Sequence, residues 1–346
     1  MKKLGVLGSG SWGTALAVHI AARGIDRDPH LGLEVVLWAR RAEFAALIER
    51  ERRNEEYLPG VAFPDNLHAT HEMERVADAD VILVVVPSHG YREVVRQLFE
   101  HLPKYGEPKI IVSGTKGIET ETLQRMSEVT ADEARQAGLA VRFAVLAGPS
   151  FAAELARDMP TAAVVATADE DLGRVLRFCL GSPYFRLYST ADVVGVELAG
   201  TTKNVIAIAS GVVAGLGLGH NTTAALLTRG LHEITRLSVA CGGDPRTLAG
   251  LGGMGDLVLT CTGGLSRNRQ TGVELAHGRT LAEISGATSQ VAEGVRNSLA
   301  IARLAERHGV VMPITQEMVR VLYEGKHPRQ SIEALMSREL RAEAEL

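Results

Sequence analysis

The sequence predicts an α/β domain built on a parallel, doubly wound sheet, followed by an all-α domain. Up to about Asp192, short apolar segments typical of strands alternate with helix-like segments, and this alternation favours a parallel sheet. Beyond Asp192 the strand-like segments cease, and long apolar or periodic segments replace them. We therefore expect one domain at residues 1–191 and a helical domain at residues 192–346.

The predicted strands are short runs rich in valine, leucine and isoleucine. The run 81–86 is apolar throughout, as central strands of a parallel sheet are when both faces are buried. Strands are expected at residues 5–7, 34–38, 81–86, 109–113, 142–146, 161–166 and 185–188. In the second half, helices are expected at residues 192–215, 221–242, 269–277, 290–308, 315–324 and 329–344.

The composition is typical of a globular protein, with 46% apolar and 23% charged residues. A net charge of −4 gives no general reason to expect nucleic-acid binding. The cysteines, at 179, 241 and 261, are too scattered for a disulfide framework or a zinc pattern, and no metal is expected.

The chain offers no clear membrane or export segment. The apolar stretch 193–219 contains Glu197 and Lys203, so we expect a buried core helix and not a membrane span. The apolar run after Met1 is interrupted at Gly8, too early for the core of a signal peptide. The cytoplasm is therefore the expected compartment.

A glycine pattern near the N-terminus is the most specific local signal. Gly8, Gly10 and Gly13 have the spacing G-x-G-x-x-G, directly after a predicted strand and before a predicted helix. Gly8 permits a tight turn, Gly10 a close approach of backbone to a pyrophosphate, and Gly13 close packing of the helix on the strand. An ordinary glycine turn is the alternative. The strand-to-helix context favours a Rossmann-like domain that binds NADPH or NADH.

The end of the second predicted strand bears on the choice of cofactor. NAD-specific folds place an acidic residue there, but Glu34 lies at the beginning of this strand and Arg40 and Arg41 follow its end. Both arginines could bind a 2′-phosphate; the alternative is that they are solvated surface residues. We expect NADPH to be accepted, with NADH not excluded. Residues 24–32 are interpreted as a surface loop insertion.

Several charged residues are candidates for chemistry. Lys203 lies within an apolar helix, where a lysine either extends to the surface or faces a polar cavity that lowers its pKa. Lys116 and Arg267 lie near glycines and suit an anion site, although each alone is more typical of a surface loop. Asp256 follows a glycine turn and is either a site carboxylate or a helix N-cap.

Ordered motifs along nearly the whole chain resemble the NAD-dependent glycerol-3-phosphate dehydrogenase family of bacteria. The motifs lie at 8–17 (GSGSWGTALA), 54–60 (NEEYLPG), 86–88 (VPS), 115–117 (TKG), 148–152 (GPSFA), 203–207 (KNVIA), 255–257 (GDL), 260–261 (TC), 266–268 (SRN) and 293–294 (EG). The resemblance implies reversible hydride transfer between NADPH or NADH and dihydroxyacetone phosphate, giving sn-glycerol 3-phosphate. It also implies a role in phospholipid synthesis, and the apolar helical half is compatible with a homodimer.

The resemblance also implies a role for individual residues. Lys203 matches the catalytic acid/base, with Lys116 and Asp256 beside it, and Thr260 faces the substrate. Substrate contacts match Lys116, Gly148, Ser150, Lys203, Asp256, Ser266, Arg267 and Asn268. Cofactor contacts match Ser11, Trp12, Arg40, Lys116, Ala152, Arg267, Val291 and Glu293, besides the glycines and Arg41 predicted above.

Two other functions fit parts of the sequence. A β-hydroxyacid dehydrogenase would also use a cofactor domain, a helical domain and a basic anion site, but would act on a carboxylate. A non-catalytic NAD(P)-binding regulator would bind the cofactor without turnover. The ordered motif set favours the phosphorylated triose over both.

Overall fold

The computed structural model describes residues 1–27, 33–286, 292–339 and 342–343. The chain divides into two compact units. The first contains Met1–Thr115 and Gln124–Val193, and the second contains Lys116–Leu123 and Val194–Leu346.

The first unit alternates strands with helices. Its strands are β1 (Lys3–Leu7), β2 (Glu34–Trp38), β3 (Arg53–Asn54), β4 (Leu58–Ala62), β5 (Leu67–Thr70), β6 (Val81–Val84), β7 (Lys109–Ser113), β8 (Val141–Ala147), β9 (Thr161–Ala166) and β10 (Phe185–Thr190). Its helices are α1 (Ser11–Arg27), α2 (Ala42–Glu51), α3 (Met73–Ala77), α4 (Ser88–Glu100), α5 (Met126–Ala137), α6 (Ala152–Leu155) and α7 (Glu170–Leu180).

Within the described residues, the main sheet of this unit has the strand order β10-β9-β8-β7-β6-β1-β2-β5. Its strand pairs are parallel except β8–β9, which is antiparallel. The chain first moves outward from β1 through β2 to β5, and then returns to the other side of β1 at β6. Such a reversal opens a crevice at the carboxyl ends of β1 and β6, where ligands of doubly wound sheets bind. The predicted α/β class is confirmed.

Strand β6 shows why this sheet is covered on both faces. Val81 and Leu83 lie in one apolar core of the unit, and Ile82 and Val84 lie in the other. Side chains alternate between the two faces of a strand, so an unbroken apolar run fills a core on each side. The expectation of a doubly buried strand is confirmed.

The second unit is helical. It contains α8 (Val193–Gly215), α9 (Gly219–Ala240), α10 (Pro245–Leu248), a single π-helical turn (Leu251–Gly255), α11 (Asp256–Thr262), α12 (Arg267–Ala276), α13 (Leu281–Gly286), α14 (Glu293–Arg307), α15 (Pro313–Tyr323) and α16 (Pro328–Met336). Its described residues include no strand. Helix α8 is long and apolar enough to cross a membrane, but 89% of its apolar window is buried inside the protein. It is the core helix that the sequence predicts.

The structure adds elements that the sequence patterns did not predict. Strands β3 and β4 form a small antiparallel pair, and β5 extends the main sheet; all are short, and β4 contains Pro59 and Gly60. The π-turn lies in a stretch where only a glycine turn was predicted, and α11 was implied only by the helix-cap alternative for Asp256. Helix α1 continues to Arg27, so the start of the predicted 24–32 loop is helical, and residues 28–32 lie outside the described residues.

Candidate active site

The glycine loop between β1 and α1 has no room for side chains at two positions. Gly8 has a φ of +119°, and a Cβ built on it would lie 2.3 Å from the carbonyl oxygen of Val85. A Cβ on Gly13 would lie 1.9 Å from the carbonyl oxygen of Gly8. Both positions therefore require glycine. The absence of a Cβ at Gly13 lets the first turn of α1 pack directly against the end of β1.

A buried asparagine from a distant segment holds this loop in shape. Asn54 is fully buried, and its Nδ2 donates to the carbonyl oxygen of Ser9 and to Oγ1 of Thr14, both at 2.8 Å. The Thr14 backbone N–H closes the first helical turn on the Gly10 carbonyl at 2.9 Å. The loop is thus fixed by hydrogen bonds to its own backbone and to the hydroxyl of Thr14.

The loop fits the pyrophosphate of a dinucleotide. A Cβ on Gly10 would meet no atom within 4 Å, so open space adjoins the backbone where the fingerprint places phosphates. Helix α1 begins at Ser11, and its first N–H groups favour an anion. The Trp12 indole N–H is buried and has no hydrogen-bond partner among the described residues.

The two arginines after β2 differ in their surroundings. Arg41 donates to both carboxylate oxygens of Glu56 at 3.3 Å, and its guanidinium lies 4.9 Å from the ring centre of Phe44. Arg40 is exposed and has no ion pair among the described residues. Glu34, at the far end of β2, lies 3.6 Å from the ammonium of Lys3. Arg40 is therefore the more available of the two cations.

The predicted substrate residues of the first unit follow strand β8. Gly148 and Ser150 come after its carboxyl end, with Ser150 Oγ donating to the Gly148 carbonyl at 3.1 Å, and Ala152 begins α6. Strands β1, β6, β7 and β8 are parallel neighbours, so their carboxyl ends share one edge of the sheet. The glycine loop and the Gly148–Ser150 turn therefore follow the same edge.

In the second unit, two lysines share one buried carboxylate. Lys203 Nζ donates to Oδ1 of Asp256 at 2.5 Å, and Lys116 Nζ donates to Oδ2 of Asp256 at 2.9 Å. Thr260 Oγ1 accepts a further hydrogen bond from Lys203 at 2.6 Å and donates to the Asp256 carbonyl at 2.7 Å. We call Lys116, Lys203, Asp256 and Thr260 the charged centre.

Burial sets the protonation states within the charged centre. Lys203 is 4% exposed and Asp256 1% exposed. Desolvation lowers the pKa of Lys203 to about 7; the negative charge of Asp256 opposes this shift, and the positive charge of Lys116 adds to it. Burial alone raises the pKa of Asp256, but the charges of Lys116 and Lys203 outweigh it and hold that pKa below its usual range.

Local structure explains how these side chains converge. Asp256 is the first residue of α11, directly after the π-turn, and Gly255 precedes it as N-cap. The alternative that Asp256 is merely a helix cap is therefore wrong, since its carboxylate binds both lysines. Ser210 of α8 donates to the carbonyl oxygen of Cys261 at 2.8 Å, which fixes α11 against the helix that carries Lys203.

Helix α12 brings a basic turn against α8. A Cβ on Gly211 would lie 1.9 Å from the Arg269 carbonyl oxygen, and a Cβ on Gly272 1.9 Å from the Ile208 carbonyl oxygen, so the two helices touch backbone to backbone. Ser266 caps α12 by accepting from the Arg269 N–H at 3.3 Å. Arg267 follows as the first helical residue and is exposed.

An amide chain joins this basic turn to α8 and α14. Asn268 Nδ2 donates to Oδ1 of Asn204 at 3.0 Å, and Asn268 Oδ1 accepts from the backbone N–H of Gly294 at 2.9 Å. Asn204 follows Lys203, and Gly294 follows Glu293. These bonds therefore hold the turns that carry Lys203, Arg267 and Glu293 together.

The structure gathers most predicted residues into two groups, one in each unit. The second unit holds Lys116, Lys203, Asp256, Thr260, Ser266, Arg267, Asn268 and Glu293, and the first holds Gly8, Gly10, Ser11, Trp12, Gly13, Arg40, Arg41, Gly148, Ser150 and Ala152. Val291 lies outside the described residues. No role was predicted for Asn54. It contacts the glycine loop only in the folded protein, and nothing in the sequence around Asn54 indicates that contact.

Two family models together match nearly the whole chain. Residues 3–173 match the NAD-dependent glycerol-3-phosphate dehydrogenase N-terminus, and residues 192–333 match the corresponding C-terminus. The chain is 48% identical over 340 residues to a glycerol-3-phosphate dehydrogenase [NAD(P)+] of Koribacter versatilis, with 98% of each chain covered. It is 48% identical over 343 residues to the Geobacter metallireducens enzyme of the same name, with 99% of each covered.

A solved structure agrees with this result. The crystal structure of glycerol-3-phosphate dehydrogenase from Coxiella burnetii superposes with a TM-score of 0.90 at 38% identity, covering 97% of this chain and 99% of that one. The chain therefore belongs to the NAD-dependent glycerol-3-phosphate dehydrogenase family.

Proposed function

We propose that this protein reduces dihydroxyacetone phosphate reversibly to sn-glycerol 3-phosphate with NADPH or NADH. The observation that carries the proposal is the buried Lys203–Asp256 pair with Lys116 on the second carboxylate oxygen. Hydride addition to a ketone builds negative charge on the carbonyl oxygen, and a buried ammonium both stabilises that charge and can supply a proton.

Lys203 is the acid/base in this mechanism. Its ammonium has three N–H donors, of which Asp256 and Thr260 accept two. We assign the third to the C2 oxygen of the substrate, where Lys203 delivers a proton during reduction and removes one during oxidation. A pKa near 7 suits both directions at neutral pH, since both forms of the side chain are then populated.

Asp256 and Lys116 set the charge around this proton. Asp256 remains ionised and orients Lys203 by a short hydrogen bond. With both lysines protonated, the charged centre has one surplus positive charge, which favours the oxyanion that develops at C2. Of the three ionisable side chains, Lys116 is the most exposed, at 21% against 5% for Lys203, and it is assigned as a second contact for the substrate.

The basic turn at the start of α12 supplies the phosphate site. Arg267 is exposed at the N-terminus of a helix of 10 residues, where backbone N–H groups and a guanidinium can bind the same anion. The backbone contact between α8 and α12 fixes this turn relative to Lys203. Phosphate binding far from C2 thereby contributes to positioning the ketone. Gly148 and Ser150 are assigned as further substrate contacts.

The glycine loop and its neighbours hold the cofactor, which supplies the hydride when bound. Gly8, Gly10 and Gly13 shape the pyrophosphate cradle, Ser11 and Trp12 begin the helix above it, and Arg40 meets the adenosine ribose. Ala152, Glu293 and the exposed parts of Lys116 and Arg267 are assigned to the nicotinamide side. Arg41, which is bound by Glu56, contributes less to the choice between NADPH and NADH.

We also infer a cytoplasmic location, a role in supplying sn-glycerol 3-phosphate for glycerophospholipids, and a homodimeric assembly. The burial of α8 supports the cytoplasmic location. The role in lipid supply is supported by the product, which is the backbone of glycerophospholipids. Exposed apolar side chains of the second unit, such as Val239 and Val311, support the homodimeric assembly. Sedimentation at several protein concentrations tests the assembly.

The direct test is to mix purified protein with dihydroxyacetone phosphate and to follow the loss of reduced-nicotinamide absorbance, with NADPH and NADH in parallel. Rapid oxidation with formation of sn-glycerol 3-phosphate is expected. Turnover of a 2-keto acid in place of the triose phosphate would favour a hydroxyacid dehydrogenase. Cofactor binding without turnover of either substrate would indicate a non-catalytic NAD(P)-binding protein.

A further inference from the structure

Residues Lys116–Leu123 pack into the core of the helical unit, although the chain on both sides of them belongs to the first unit. Ile118 and Leu123 lie in an apolar cluster with Leu198 of α8 and with Ala300 and Ile301 of α14. Leu123 has a φ of +62°, which is costly for a leucine and persists only where packing enforces it. We call Lys116–Leu123 the inserted segment.

Helix α14 holds the backbone of the inserted segment by side-chain donors. Asn297 Nδ2 donates to the carbonyl oxygen of Lys116 at 3.1 Å. Six residues later along α14, Arg303 donates to the carbonyl oxygen of Thr120 at 3.0 Å. The first bond reaches the residue whose side chain enters the charged centre, and the second reaches a residue four positions beyond it.

Asn297 differs from Arg303 in its surroundings. Asn297 is 1% exposed, so without it the Lys116 carbonyl would lose a partner at a buried position. The bond of Arg303 lies at the surface, where water can replace it. A lysine has several rotatable bonds, and the place of its Nζ depends on how firmly its backbone is anchored.

We propose that Asn297 is a positioning residue: by binding the Lys116 carbonyl, it keeps Lys116 Nζ on Asp256 and so fixes how the carboxylate is shared between the two lysines. The proposal rests on the proposed function for its kinetic consequences. If Lys116 withdraws from Asp256, the carboxylate is left to Lys203 alone. Because the positive charge of Lys116 lowers the pKa of Lys203, its withdrawal raises that pKa.

The test compares Asn297→Leu with Arg303→Leu, a matched variant on the same helix that also loses a bond to the inserted segment. Asn297→Leu is expected to lower kcat by ~10–100-fold, because displacement of a positioned group by about 1 Å has effects of that size. It is also expected to shift the pH dependence of kcat toward higher pH. Arg303→Leu should change neither. Equal losses in the two variants would indicate general loosening of the segment and overturn the proposal.

A double variant separates positioning from general damage. If Asn297 acts through Lys116, Asn297→Leu should cause no further loss of kcat in a Lys116→Met background. Losses that multiply would contradict the proposal. Should Asn297→Leu not fold, Asn297→Ser, which is too short to reach the carbonyl but keeps a polar group in place, carries the same predictions.

A readout without turnover distinguishes failure of this inference from failure of the proposed function. With lysines labelled at Cε, the NMR signal that Lys203→Met removes can be titrated in the full-length protein. Asn297→Leu is expected to raise the midpoint of that titration, and Arg303→Leu to leave it in place. An unchanged midpoint in Asn297→Leu would overturn the proposal, whatever the wild-type protein does to dihydroxyacetone phosphate.

Discussion

The glycine loop of the first unit and the charged centre of the second use opposite means to prepare a binding site. The loop achieves its shape by leaving side chains out, so that backbone at Gly8 and Gly13 comes within contact distance of other backbone. The charged centre depends on side chains, three of them ionisable, joined by bonds of 2.5–2.9 Å. The shape of the glycine loop thus depends on positions without a Cβ, whereas the charged centre depends on ionised side chains.

This difference predicts different responses to substitution. A side chain added to the loop should damage shape and cofactor binding, because backbone cannot move aside cheaply. A side chain removed from the charged centre should damage chemistry, while the helices that carry it remain packed. Kinetics and binding measured on the same variants can therefore tell the two kinds of site apart.

The largest effect is expected at Lys203. Lys203→Ala should lower kcat by on the order of 10³–10⁴-fold, because it removes both the proton donor and the charge that stabilises the oxyanion. The Kd for NADH, measured by fluorescence titration, should stay near the wild-type value. Lys326→Ala is the matched control, since Lys326 also pairs with a carboxylate at 2.6 Å but lies outside the centre. Near-normal turnover of Lys203→Ala would remove Lys203 from the mechanism.

The glycine loop should respond in binding and in stability. Gly13→Ala places a Cβ 1.9 Å from the Gly8 carbonyl oxygen, so we expect a free energy of unfolding lower by about 1–3 kcal/mol, together with weaker NADH binding. Gly10→Ala meets no protein atom and should weaken binding without loss of stability. Denaturant titration and NADH titration of both variants measure this. Unchanged NADH binding in Gly10→Ala would contradict the assignment of the open space to the cofactor.

Arg40 is a charged residue of the first unit, which also contains the glycine loop, so it tests whether charge as well as shape contributes to cofactor binding there. Arg40→Asp is expected to shift the ratio of kcat/KM for NADPH over NADH by ~10–100-fold toward NADH, the size of one charge-assisted contact. Arg41→Asp should shift it less, since Glu56 already binds Arg41. An unchanged ratio in Arg40→Asp would exclude contact with the 2′-phosphate.

The smallest effect is in the pH dependence. With the pKa of Lys203 lowered to about 7, its acid form is lost as pH rises through that value. Initial rates of ketone reduction should therefore fall above about pH 7, and rates of alcohol oxidation should rise over the same range. Slopes of the same sign in both directions would contradict the assignment of Lys203 as the acid/base.

The sequence predicted the fold class well because its signals are local. The run at 81–86 and the glycine fingerprint each carry their information within a few residues, and the helices after Asp192 are long enough for their apolar patterns to be evident. Strands β3 to β5 were missed because they are short. Helix α11 was implied only by the helix-cap alternative for Asp256, because it is short and glycines precede it.

The site was less accessible to sequence reasoning where contacts are distant. A lysine within an apolar helix predicts either a polar cavity or a side chain that extends to the surface. The choice between these depends on Asp256, which lies 53 positions away along the chain. Asn54 belongs to a matching motif but was given no role, and Asn297 was not predicted at all, because a single buried amide has no pattern in sequence. Their roles depend on backbone atoms that lie 45 and 181 positions away along the chain.

The backbone contact between α8 and α12 has a consequence for evolution of the protein. Where two helices touch at Gly211 and Gly272, neither can slide past the other by a fraction of a turn without a clash. With Lys203 assigned to the C2 oxygen and Arg267 to the phosphate, as proposed above, this contact fixes the distance between the groups that bind the two ends of the substrate. We expect that new phosphorylated substrates are acquired by altering the width of the site between these groups, and that substrates with a longer chain between ketone and phosphate bind poorly.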